Sequence, residues 1–396
     1  MGFEKMKIAV VFEGTLENGG GYQQQLSTLI ELNKIKKYEI FVIVENIETK
    51  KVLDFYGIKS ALYKNDVYSK IERKILSSWF TYRFLNKNMQ LTRFERLLEK
   101  NSVDLVYFLS PSILALELKK HNYIITVWDL CHRDFMEFPE VNFFNEFENR
   151  ENFYNRALKK AVAILSDSEL GKKNIVKRYN IDVNRIFSIN FSSSESSKNV
   201  KEVDIKLKYE IVGNYVYYPA QFWSHKNHIY IIDAIKNLSQ KGINLTAIFS
   251  GSDKGNLEYV LNYAKDSGVG NFIKYIGFAP NEEIYSLYKN SLALVMPTYF
   301  GPTNIPPLEA FEIGTPVIYS DLEGLKEQVG EAALLCDLKD PNSLAEQLTK
   351  ILNNNEIRED LIEKGKKRLK ELNENNLISI LEEIFDNYSL KLKCWR

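Results

Sequence analysis

Three stretches of the sequence carry side chains whose types and spacing could do chemistry. The most specific is PTYFGPTNIPPLEAFEIGTPVIYSD, which begins at Pro297. A strand ending near Met296 runs into a Gly/Pro/Asn loop, Pro306 and Pro307 lead into a short helix, and Gly314 closes it before the next strand. This pattern places Glu309 in the first helical turn, where the helix dipole alone stabilises a carboxylate. Facing a ligand, the same carboxylate would accept hydrogen bonds from two ribose hydroxyls. The second stretch is YYPAQFWSHKNH, where Lys226 follows a strand end and could reach a phosphate as a point charge. A solvated surface lysine is the plainer alternative. His225 and His228 lie three residues apart, but no third ligand or carboxylate cluster accompanies them, so no metal site is expected. The third stretch is NGGGYQQQ, in which Gly19, Gly20 and Gly21 form a turn between a strand and a helix. Glycine lets the backbone approach an anion closely, although an ordinary surface turn uses the same residues.

These residues need elements to position them. Short β-branched runs (Ile8 to Phe12, Ile40 to Glu45, Leu105 to Leu109, Ile124 to Val127, Ala163 to Ser166) alternate with helical patterns such as Gln23 to Leu32. The polar stretch from Ser192 to Lys208 reads as a junction. The alternation then restarts with strands at Tyr215 to Tyr218, Leu245 to Phe249, Ile273 to Ile276, Leu292 to Met296 and Pro316 to Tyr319. Helical patterns fall between them at His228 to Ser239, Leu257 to Ser267, Asn281 to Asn290 and Leu308 to Ile313. Strand–helix alternation implies right-handed crossovers and parallel sheets, whose ligands sit at the carboxyl ends of the strands. The expected division is 1–195, a linker over 196–212, a second domain over 213–372, and a helical segment over 373–396 able to pack back on the first domain.

Composition sets the bounds. The 396 residues are too many for one ordinary core. A hydrophobic share of 45% argues for a globular chain, and 52 basic against 52 acidic side chains argues against nucleic acid as a partner. Cys131, Cys336 and Cys394 are too few and too far apart for a disulfide framework, which suits the cytoplasm. No stretch approaches the roughly 18 uncharged residues of a spanning helix.

Taken in order, GGGYQQQ, TVWDLCHRDFMEFPE, AILSDSELGKKNIVKRYNID, YYPAQFWSHKNH, IFSGSDKGN, YIGFAPNEEIYSLYKNSLALVMPTYFGPTN and IPPLEAFEIGTPVI resemble glycosyltransferase family 4. The resemblance covers nearly the whole chain. It implies an α/β GT-B fold, two Rossmann-like parallel-sheet domains facing a cleft. It also implies a retaining transferase moving a hexose-type sugar from a nucleotide-diphosphate donor, without metal or other cofactor. By this likeness Gly19, Gly20, Gly21 and Lys226 would contact the diphosphate, with Gln221 and Gly251 also on the donor side. The backbone of Asn304 and Ile305 would face diphosphate and sugar, and Glu309 would hold the ribose. Asp129 and His132 would face the reacting sugar or the acceptor; their plainer readings are a loop cap and a packed, hydrogen-bonded ring.

The chain departs from the family pattern at three positions. Gln221 stands where Arg is usual, Gly301 where Glu is usual, and Trp128 where His is frequent. Asn304, on the same loop as Gly301, is the expected substitute for the missing carboxylate. The stretch Lys70 to Lys100 holds eight basic and three acidic side chains with Trp79, Phe80, Tyr82, Phe84 and Phe94. It could rest on an anionic membrane surface or pack on its own domain. Membrane contact would suit a lipid-linked glycan acceptor in surface polysaccharide synthesis. A degenerate binding subunit and a sugar-nucleotide epimerase of the same fold are the competing readings.

Overall fold

A computed structural model describes residues 5–15, 19–64, 66–69, 71, 91–194, 197, 202–301, 303–374 and 377–395. The chain separates into two compact units. The first comprises Met1–Asp134, Asn142–Asn190 and Asn376–Arg396, and the second Phe135–Val141 and Phe191–Asn375.

The first unit is built on seven parallel strands: β1 (Lys7–Phe12), β2 (Glu39–Val44), β3 (Ser60–Leu62), β4 (Leu105–Phe108), β5 (Asn122–Val127), β6 (Ala163–Ser166) and β7 (Ile186–Ser188). Their order is β3-β2-β1-β4-β5-β6-β7, so the direction of winding switches between β1 and β4. Helices α1 (Gly20–Leu32), α2 (Ile47–Phe55), α3 (Arg93–Lys100), α4 (Glu146–Lys160) and α5 (Glu169–Tyr179) make the longer crossovers. Strands such as LVYF and AILS are buried along their whole length, as a sheet covered on both faces requires. The C-terminal helix Leu377–Leu392 docks on this unit. Its Asp386 pairs with Lys37 and Tyr38, and its Tyr388 hydroxyl donates to the Asp104 carbonyl at 3.1 Å.

The second unit has six parallel strands: β8 (Tyr215–Pro219), β9 (Thr246–Ser250), β10 (Ile273–Tyr275), β11 (Ala293–Met296), β12 (Val317–Ser320) and β13 (Leu334–Cys336). Their order is β10-β9-β8-β11-β12-β13, with the switch between β8 and β11. Its helices are α6 (His228–Gln240), α7 (Leu257–Asp266), α8 (Asn281–Lys289), α9 (Ile305–Ile313), α10 (Glu323–Val329), α11 (Pro341–Asn353) and α12 (Asn355–Glu374).

Several expectations change in detail. β3, β7 and β13 escape the sequence pattern; each is a three-residue edge strand, too short to show alternation. Gly20 and Gly21 are helical, and only Gly19 precedes α1. α9 starts at Ile305, not Leu308, because proline is compatible with a helix's first turn, so Glu309 is its fifth residue and lies beyond that turn. In the basic aromatic stretch, Lys70 and residues 72–90 lie outside the described residues; Arg93–Lys100 is α3. No helix among the described residues is long and apolar enough to cross a membrane.

α3 shows how a polar group can be buried. Thr92 caps the helix by accepting from the Glu95 N–H at 3.1 Å. The spacing is that of a capping box, yet the fully buried Glu95 carboxylate turns away. Its Oε1 accepts from the backbone N–H of Lys119 (2.8 Å), Lys120 (2.6 Å) and His121 (3.3 Å). Burial pushes this carboxyl up, but His121 and these N–H groups outweigh it and bring it down to about 2. Glu95→Gln is expected to cost about 1–3 kcal/mol at neutral pH in urea melts. Because the folded value lies below the ordinary 4.5, the carboxylate's contribution is complete above about pH 4.5 and fades toward pH 2. The gap between wild type and variant should narrow in that window; a constant gap would assign the loss to packing.

Candidate functional site

In the second unit the candidate residues gather at the carboxyl ends of β8 and β11, on the two sides of the switch. Beyond β8 the chain runs alongside the end of β9: the Ala220 N–H donates to the Ser250 carbonyl at 2.8 Å and the Phe222 N–H to the Ser252 carbonyl at 3.0 Å. Gly251 makes this approach possible. Its φ is +143°, and a Cβ there would lie 2.3 Å from the Ala220 carbonyl oxygen. Gln221 Oε1 accepts from the Trp223 indole N–H at 3.0 Å. Ser224–Lys226 then makes a single 3-10 turn, and Asn227, left-handed at φ 55°, opens α6. The Tyr218 hydroxyl donates to the Lys226 carbonyl at 2.8 Å, and Lys226 Nζ donates to Asn304 Oδ1 at 3.2 Å.

Asn304 caps α9 and is tied on several sides. Its Nδ2 donates to the Gly301 carbonyl and to the Tyr319 hydroxyl, both at 2.6 Å. Its backbone N–H donates to Gln328 Oε1 at 3.1 Å, and its carbonyl accepts from Gln328 Nε2 at 2.6 Å. Gln328 thus engages both the N–H and the carbonyl of Asn304, leaving the carbonyl one further acceptor position. Pro306 and Pro307 have no N–H, so among the cap and first three helical positions only Ile305 offers a donor to a ligand. Gly301 adopts φ +95°, and a Cβ there would meet the Asn304 amide at 3.2 Å.

Glu309 is buried, with both oxygens engaged. Oε1 accepts from the Ser194 hydroxyl and Oε2 from the Tyr288 hydroxyl, the latter at 2.6 Å. Burial pushes its carboxyl above the ordinary value, and the two hydroxyls offset this in part. A carboxylate has about four acceptor positions, so two protein hydroxyls leave room for two more. The two histidines do not converge. His225 donates its backbone N–H to Glu140 Oε1 at 2.9 Å, holds the same oxygen with its ring Nδ1 at 2.5 Å, and stacks on Phe300. His228 is sealed against Phe222 with ring centroids 4.2 Å apart, and burial lowers its pKa to about 3.

In the first unit the start of α1 lies beside the loop that follows β5. A Cβ on Gly21 would stand 2.7 Å from the Trp128 indole, so the bare glycine accommodates that ring. Asp129 Oδ1 accepts from the Cys131 N–H at 3.0 Å and from Arg150 at 3.3 Å. Burial raises the Asp129 carboxyl, but Arg150 and Cys131 outweigh it and hold it below its ordinary value. His132 turns inward and is 0% exposed. Its Nε2 meets Glu151 Oε1 at 2.8 Å, and its ring stacks on Tyr154. In this arrangement it presents no atom to a substrate, because the aromatic faces of α4 and α5 enclose it. Ser194, Tyr288, Gln328 and Glu140 escape a sequence reading, since each reaches the site from an element remote in sequence.

Residues 204–368, less than half the chain, match the family described as Glycosyl transferases group 1. This stretch is similar to the glycosyl transferases of group 1. Among curated relatives, the O-antigen chain mannosyltransferase B of Escherichia coli is 23% identical over 243 residues, 60% of this chain and 64% of its own length. The chain spans less than two thirds of the first curated relatives it matches. Two solved structures share the fold throughout. A glycosyltransferase from Rickettsia africae has TM-score 0.70 at 16% identity, covering 99% of this chain and 100% of its own. Anabaena HepE, in complex with UDP and glucose, has TM-score 0.72 at 15% identity, covering 97% and 99%. The fold is GT-B. Gln221, Lys226, Gly251, Gly301, Asn304, Ile305 and Glu309 all fall inside the matched stretch, whereas Gly19, Gly20, Gly21, Asp129, His132 and Ser194 precede it.

Gly251→Ala tests the close approach that places the Lys226 loop. The added methyl must displace the 220–221 backbone in a conformation that disfavours side chains, so a loss of about 1–3 kcal/mol is expected in thermal or urea unfolding. Unchanged stability would show that this loop moves aside at no cost.

Proposed function

We propose that the chain is a retaining glycosyltransferase that moves a hexose-type sugar from a nucleotide-diphosphate donor to a glycan or lipid-linked acceptor in surface polysaccharide synthesis. The observation that carries this reading is the junction of Lys226, Asn304 and the start of α9, with the buried Glu309 one turn further on. The ammonium and the Ile305 N–H receive the diphosphate, and Glu309 receives the ribose. An O-antigen mannosyltransferase among the relatives supports the pathway, and a structural neighbour in complex with UDP and glucose supports the donor class.

The reaction follows from that placement. The acceptor hydroxyl attacks the anomeric carbon on the face the diphosphate leaves, and a phosphate oxygen takes its proton. No protein nucleophile is required; the protein supplies positioning and charge stabilisation. With Gln221 in place of arginine and prolines at the start of α9, Lys226 carries most of the positive charge offered to the leaving group, and no metal ion is used. Gln221 and Gly251 shape its loop. Asn304 orients Lys226 and fills the space beside Gly301; its two Nδ2 hydrogens are already taken, which favours a positioning role over a sugar contact. Gly19, Gly20 and Gly21 serve the diphosphate, Asp129 faces the reacting sugar or acceptor, and His132 supports Asp129 through packing.

Lys226→Ala should lower turnover about 100-fold or more, as loss of a transition-state stabiliser does, while far-UV circular dichroism and the melting temperature stay close to wild type. Near-normal transfer by this variant would remove Lys226 from the reaction. Chelator should leave the wild-type rate unchanged, and strong inhibition would overturn the metal-free mechanism.

Glu309 predicts discrimination. Ribonucleoside diphosphates should bind more tightly than their 2′-deoxy analogues by about 1.5–3 kcal/mol, the strength of hydrogen bonds to charged groups. In Glu309→Gln the difference should shrink. Equal calorimetric affinities in the wild type would leave Glu309 a structural group held by Ser194 and Tyr288.

A further inference from the structure

We propose that Phe143 and Phe144 form a stacking platform for a neutral sugar ring of the acceptor glycan, an inference that rests on the glycosyltransferase reading and names its acceptor class. The two rings stand at the tip that precedes α4, edge to face at 6.5 Å. Phe144 is 97% exposed and Phe143 58%. Phe144 (φ 57°, ψ 35°) and Asn145 (φ 61°, ψ 25°) are both left-handed, a conformation bulky side chains resist. Nothing is gained in packing, because the Phe144 ring buries almost no surface.

The tip is nonetheless held firmly. Arg150 Nε donates to Glu146 Oε1 at 2.7 Å, and its Nη1 reaches Asp129 Oδ1 at 3.3 Å. Phe147 packs edge-on against His132, itself hydrogen-bonded to Glu151. These contacts join the aromatic tip to the Asp129 loop. The face of an aromatic ring is negative, and the C–H groups of a sugar ring present the complementary charge. Asn142, Asn145, Glu146 and Glu148 surround the tip with acceptors for sugar hydroxyls. The positive charge of Arg150 is paired with Glu146 and Asp129. The tip therefore presents excess acid and is mismatched to an anionic lipid surface or a nucleic acid.

Saturation-transfer NMR on the full chain tests this, with methyl α-mannoside, methyl α-glucoside and methyl α-galactoside as probes. Transfer to at least one glycoside is expected in the wild type and should fall several-fold in the Phe143→Ala/Phe144→Ala double variant. Binding of UDP-glucose, measured on the same samples, should not change. Phe144→Asn should weaken the glycoside signal while keeping or raising the melting temperature, since asparagine tolerates the left-handed backbone. No transfer in the wild type, or undiminished transfer in the double variant, overturns the platform. So does a several-degree fall in melting temperature of Phe144→Asn, which would make the ring structural. A dimer that dissociates in the double variant, or binding to phosphatidylglycerol vesicles that the variant loses, assigns the tip to another partner and overturns the glycan. If neither UDP-glucose nor another nucleotide-diphosphate sugar binds even the wild type, the donor reading falls while the glycoside signal still decides the platform.

Discussion

Each paired strand in the two sheets runs parallel to its neighbours, and this pairing is the constraint from which the candidate sites follow. Parallel strands cannot be joined by tight hairpins, so each connection crosses over through a helix and both faces of the sheet are covered. The carboxyl ends of all strands in a sheet then fall on one edge. Where the winding direction switches, two neighbouring strands send their chains to opposite faces and leave a gap between the loops. Lys226 arrives from β8 and Asn304 from β11, the pair flanking the switch of the second sheet. Gly251 lets the β8 loop lie against the end of β9, which fixes where the lysine starts.

The start of α9 shows how this edge is specialised. A helix start ordinarily offers four unpaired N–H groups to an anion. Here two are absent as prolines and one is consumed by Gln328. What remains is one N–H, with the Lys226 ammonium held beside it by Asn304. The ammonium does not depend on helix geometry alone. Asn304 orients it, Tyr319 and the Gly301 carbonyl orient Asn304, and Gln328 braces Asn304 and Tyr319.

Much of this was legible in the residues, and the illegible part has a physical reason. The buried strands carried clear β-branched runs, so two parallel sheets could be anticipated, but not the strand order that sets their switch points. The edge strands β3, β7 and β13 could not, because three residues do not display a period. Lys226 stood out through its place after a strand end, Glu309 through its place near a helix start, and Gly251 through the family resemblance. Their supports did not: Ser194, Tyr288 and Gln328 act through side chains brought in from other elements, and no local spacing encodes such a meeting. Pro306 and Pro307 were visible, but reading them as preceding the helix placed its start three residues late. The His132 ring shows the same limit, since only folding reveals that Glu151 and Tyr154 enclose it.

Two tryptophans lie beside candidate residues, Trp128 over Gly21 and Trp223 hydrogen-bonded to Gln221. Only four occur in the chain; Trp395 is largely exposed, and Trp79 lies outside the described residues. An indole's emission depends on the polarity and quenching groups within a few ångströms. The protein thus carries a built-in optical reporter in each unit, one at the start of α1 and one on the Lys226 loop. Replacing either with phenylalanine would separate their signals, so events at the two positions could be followed independently in solution without attaching a dye.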